Sequence, residues 1–111
     1  MKQVAREKIK FMTEFRKNSA GVVGLAWFRK EDYARLLTIF EDAQDMHDTW
    51  EEWEESAKKV EERLKGEQYV VERVNIDPDT FPDWCRRAGI GIVASARSRF
   101  AVETVAKRHG A

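Results

Sequence analysis

The chain has 111 residues, one cysteine, and twenty basic (Lys and Arg) against twenty acidic (Asp and Glu) residues. That length holds one core, so residues 1–111 read as a single domain with residues 1–20 as an N-terminal amphipathic extension. The lone Cys85 excludes an intramolecular disulfide, and no apolar run reaches the length of a secretory h-region or a membrane span. A cytoplasmic protein with no membrane partner is expected.

Zero net charge conceals segregation. Residues 1–30 carry eight basic and two acidic groups, whereas residues 31–62 carry twelve acidic and three basic. Residues 84–111 turn basic again, with six basic groups against one acidic. The pattern fits ends that pair onto the middle, within or between subunits, or separate surfaces for oppositely charged partners.

Residues 2–18 form an amphipathic helical pattern with Val4, Phe11, Met12 and Phe15 on one face. Asn18 to Gly21 ends it. Lys8 and Arg16 intrude on the apolar half, which favours docking on protein over a membrane surface. Val22 to Phe28 is a short, continuously apolar run, the pattern of a strand covered on both faces.

From Glu31 to Gly66 the period is helical. Leu36, Ile39, Ala43, Met46, Trp50, Trp53, Ala57, Val60 and Leu64 recur at spacings of three and four. One helix of that length would reach about 54 Å, while a seven-residue strand spans only about 23 Å. A break is therefore expected near Met46–Asp48, where Thr49 and Glu52 form a capping box or Asp48 caps instead. Gly66 is expected to end the second helix.

Gln68 to Ile76 is the second strand. A helix follows, capped by Asp77 or Thr80 and stopped by Gly89; a last helix is expected from about Val93 to Arg108. The whole reads as a helix-rich α/β (α+β) domain in the order α-β-α-α-β-α-α, with about five helices on a two-stranded sheet. Strand direction depends on how the two middle helices cross, and both directions fit.

Four residue groups are candidates for function. Trp50 and Trp53, with Met46, form an aromatic face that suits the core, a subunit interface or a ligand, since large aromatics dominate burial and hot spots. Arg29 and Asp32 follow the first strand, and Asp77 and Asp79 the second, each set at a helix N-terminus. Parallel strands would bring these sets to one edge with Trp27 or Trp84 nearby; antiparallel strands would separate them. Arg86, Arg87, Arg97 and Arg99 flank the turn Gly89 to Gly91 in the outline of a helix-turn-helix, without base-reading Asn or Gln on the second helix.

The acidic cluster around Asp45, Asp48 and Glu52 lacks metal-ligand spacing, so no metal and no cofactor are expected. Cys85 lacks a base nearby in sequence and reads as a small buried hydrophobe.

The stretches Trp27 to Tyr33, Thr49 to Trp53, Arg73 to Asp79 with Phe81, Trp84 and Cys85, and Ala96 to Ala101 together resemble a family of small uncharacterised bacterial proteins. The resemblance covers roughly residues 23–101. It implies a bacterial, cytoplasmic, single-domain protein and brings no activity, cofactor or catalytic residue. The expected function is a non-catalytic binding module acting as a homodimer, with a protein as its other partner. Nucleic-acid binding by the basic C-terminal helices and a small-ligand enzyme at the strand ends are the alternatives.

Overall fold

A computed structural model describes residues 21–110 of the protein. The elements in chain order are β1 (Val22–Trp27), α1 (Lys30–Ile39), a 3₁₀ turn (Ala43–Asp45) and α2 (Trp50–Gly66). They continue with β2 (Val70–Asn75), α3 (Phe81–Ala88) and α4 (Ala94–Arg108). The described residues thus form a helix-rich α/β fold with four α-helices, and the helix expected over residues 2–18 lies outside them.

The two strands are parallel, in a register that runs from Val22 opposite Val70 to Trp27 opposite Asn75. Side chains alternate across the sheet. Trp27 and Arg73 point to the face covered by α2, where Trp53 and Glu61 meet them. Gly24 and Glu72 point to the opposite face, covered by α4. Every residue of β1 is buried, as an apolar run covered on both faces requires, whereas only Val74 of β2 is. Burial of a large apolar side chain such as Val23, Leu25 or Val74 contributes roughly 1.5–3 kcal/mol.

The helical seam does not run as its spacing predicts. Helix α1 ends at Ile39, well before the expected break, because Phe40 turns extended and buries its ring in the core. Residues 40–49 then form an irregular connection fastened at three points. Glu41 exchanges backbone and side-chain bonds with Ile92, at 2.9 and 3.0 Å. Asp42 binds Arg97, and the Tyr33 hydroxyl donates to the His47 carbonyl at 2.5 Å. Ala43 and Met46 are half-buried in that connection, so their heptad spacing reflects burial and not a helix.

Thr49 caps α2 as the capping box predicts, accepting from the Glu52 N–H at 3.2 Å. Gly66 is the last helical residue but does not supply the turn. Gln68 takes the left-handed conformation, φ 74°, while Tyr69 N–H donates to Leu64 O and Gln68 N–H to Lys65 O. This is a Schellman closure built on a non-glycine residue. At α3 the same closure uses Gly89, φ 71°. Thr80 occupies the cap position of α3 without a side-chain bond, and Asp77 accepts instead from the Asp79 N–H at 2.8 Å.

Candidate functional site

Parallel pairing sends β1 into α1 and β2 towards α3 at the same carboxyl edge of the sheet. Arg29 and Asp32 therefore share that edge with Asp77 and Asp79. Arg35, beyond the first turn of α1, ties that helix to the second set through an ion pair with Asp79. Asp77 is occupied by its turn bond to Asp79. Arg29 stands at the cap position of α1 with an exposed side chain that makes no capping bond, and Asp32 is half-buried. Neither forms an ion pair with another described residue. Trp84 does not join them: it stacks on Phe81 (5.9 Å, 11°) and meets Phe100 edge-on at 5.1 Å, with Arg99 over its ring.

The same edge carries Trp50. Its indole Nε1 donates to Phe28 O at 2.9 Å, just past the end of β1. That bond satisfies the one polar atom of the ring and fixes its orientation, while the residue stays half-buried. Lys30 lies 5.9 Å from the ring centroid and pairs with Glu51 at 2.9 Å. Their hydrogen bond raises the Lys30 pKa and lowers that of Glu51.

Trp53 is placed in the core. It is 9% exposed and packs 4.5 Å from Phe28, 4.9 Å from Trp27 and 6.2 Å from Tyr33. Of the aromatic face, Trp50 and the half-buried Met46 keep solvent-facing surface.

The C-terminal arginines divide by environment. Arg97 is 5% exposed, forms two bonds with Asp42 (2.8 and 3.0 Å), and stacks 4.3 Å from the Phe40 ring. It is a structural clasp between α4 and the 40–49 connection. Arg86, Arg87 and Arg99 are exposed; Arg86 pairs with Asp83, and Arg99 with Glu103 at 2.8 Å.

A second clasp leaves no signal in the sequence. Arg73 binds both Glu61 oxygens (2.7 and 2.8 Å) and lies 3.7 Å over the Trp27 ring. The Arg73 bonds hold the Glu61 carboxyl below its usual pKa range. Its partners lie twelve residues apart on different elements, so no local spacing betrays them.

Cys85 is buried in α3, and burial pushes its thiol pKa up, which disfavours the reactive thiolate. Among the described residues no group of three or more His, Cys, Asp or Glu could hold a metal ion. No helix among them is long and apolar enough to cross a membrane.

Comparison with family models finds no match, and comparisons with curated proteins and with solved structures find none either.

Proposed function

We propose that this protein is a non-catalytic, cytoplasmic binding module whose contact surface is the carboxyl edge of the sheet. Trp50 is the anchor of that surface, with Met46 as its companion, and a second copy of the chain as first partner. The observation that carries the reading is the bond from Trp50 Nε1 to Phe28 O. A tryptophan whose polar atom is already satisfied offers apolar area at little cost in ordering, which is the property of interface hot spots.

The test is solution mass by light scattering at low and high salt, with Trp50→Ala as variant. A salt-resistant dimer that Trp50→Ala weakens by about thirtyfold or more supports the reading. A monomer at every concentration, unaltered by the substitution, removes the homodimer.

A second reading is supported by the parallel pairing, which brings Arg29, Asp32, Asp77 and Asp79 to that edge. In it the edge receives a small polar ligand. A thermal-shift screen of small anions and amines tests it, with Asp32→Asn as control. A ligand that raises the midpoint in the wild type but not in Asp32→Asn supports it. No shift with any of the compounds counts against it.

A further inference from the structure

Strand β2 has one side paired with β1 and, among the described residues, no strand on the other. Ile76 N–H donates to Trp27 O, which fixes the ladder: residues 72, 74 and 76 turn their backbone groups to β1. Val71, Arg73 and Asn75 must then turn theirs outward. Val70, at the start of the strand, is 58% exposed, the one large hydrophobic side chain so exposed among the described residues. A β-branched strand with outward backbone groups is a template for pairing with another strand.

The end of α4 lies across this template. Arg108 Nη1 donates to Glu72 Oε1 at 3.2 Å and reaches the outward Arg73 carbonyl at 3.4 Å. His109 Nε2 meets the other Glu72 oxygen at 2.8 Å. Glu72 therefore anchors two consecutive side chains, and one of them occupies an edge acceptor that an incoming strand would need. The bonds from His109, and then from Arg108, hold the Glu72 carboxyl below its ordinary pKa range.

We infer that Arg108 and His109 form a guard on the open edge of β2, which keeps that strand from pairing with the β2 of a second copy. Charge further opposes one register of self-pairing. In antiparallel pairing, outward residues must face outward residues. The register that centres on Glu72 sets two carboxylates opposite each other, whereas in the register that centres on Arg73 each guanidinium already has Glu61 as its counter-ion. That second register is held off by the guard, which occupies the Arg73 carbonyl, and it becomes accessible when the guard is removed.

This edge is separate from the Trp50 surface, so the two can fail independently. The test is hydrogen exchange at the Val71, Arg73 and Asn75 amides, together with light scattering, for wild type and for Arg108→Ala with His109→Ala. The expected wild type exchanges these three amides rapidly and on concentration goes no higher in mass than the Trp50 dimer. The double variant is expected to at least double the wild-type mass at high concentration, with exchange at the three amides slowed by about tenfold or more. Equal mass and equal exchange in the two proteins overturn the guard, as does prior protection of these amides in the wild type. Glu72→Gln, which weakens the anchor without touching α4, should show a smaller shift in the same direction. If the double variant fails to fold, this second variant decides, and wild-type behaviour from it overturns the guard.

Discussion

Gly24 of β1 and Ala101 of α4 meet backbone to backbone where the helix lies on the sheet. A Cβ at Gly24 would lie 2.7 Å from the Ala101 carbonyl carbon and 2.9 Å from Val105 Cγ2. Its backbone is ordinary strand, so the requirement is for space and not for a special conformation. The contact lets α4 lie close on β1, which in turn brings the end of the helix to β2. Gly24→Ala must displace strand or helix and is expected to cost about 2 kcal/mol. Denaturant unfolding measures this; an unchanged midpoint would mean that the helix stands further off.

Arg97 and Asp42 form the most deeply buried ion pair of the described residues, with side chains 6% and 19% exposed. Arg97→Ala removes the cation, leaves Asp42 largely buried without its partner, and opens space against Phe40. A loss of about 3–5 kcal/mol is expected. Arg97→Lys keeps the charge but not the two-pronged geometry or the ring contact, and should recover only part of that loss. Full recovery by lysine would reduce the clasp to a simple charge effect.

The contrast between these two features shows what the sequence discloses. Period, caps and composition read out β1, β2, the Thr49 cap and the Gly89 stop, because each is a local physical preference. The 40–49 connection is hidden from the sequence pattern because its half-buried Ala43 and Met46 fall on a helical repeat. What breaks the repeat is remote: Asp42 meets Arg97 across 55 residues and Glu41 meets Ile92 across 51. The same limit applies to the candidate site. Asp and Arg at the strand ends were legible as a set, but whether they share an edge depended on strand direction. The apolar spacing that puts Trp50 and Trp53 on one seam does not say which of the two is enclosed.

Gln68 offers a stabilising change. It holds a left-handed backbone, φ 74°, at the position where Schellman closures favour glycine. The residue is exposed, and among the described residues its side chain has no hydrogen bond that glycine would forfeit. Gln68→Gly is expected to raise stability by about 1 kcal/mol. A lower thermal midpoint would show that unfolded-chain entropy outweighs the relief of the left-handed backbone.

Glu61 should shape the acid limb of stability. Arg73 lowers its pKa in the fold, so its contribution is full above the unfolded value of about 4.3 and fades as pH falls through the folded value. The stability difference between wild type and Glu61→Gln is therefore expected to be constant near neutrality and to shrink below about pH 4. A difference that persists unchanged to the acid end would assign the effect to packing and not to ionisation.

Tyr33 governs the alkaline limb. Its ring is buried, and its hydroxyl donates to the His47 carbonyl, a bond that only the neutral form can make. Burial, followed by the charges of Asp48 and Glu52, pushes its pKa up to about 12. The sign follows from linkage: the folded value exceeds the unfolded value of about 10, so this stabilisation is complete below pH 10 and disappears as pH rises through the folded value. Tyr33→Phe loses the bond and should cost about 1 kcal/mol at neutral pH. Above pH 10 the gap between the proteins should close and then reverse, since phenylalanine has no proton to lose. The measurement is unfolding free energy against pH for both proteins, with ultraviolet titration of the phenol in parallel. If the two curves stay parallel to pH 12, Tyr33 ionises without penalty and the His47 bond does not hold the 40–49 connection in place.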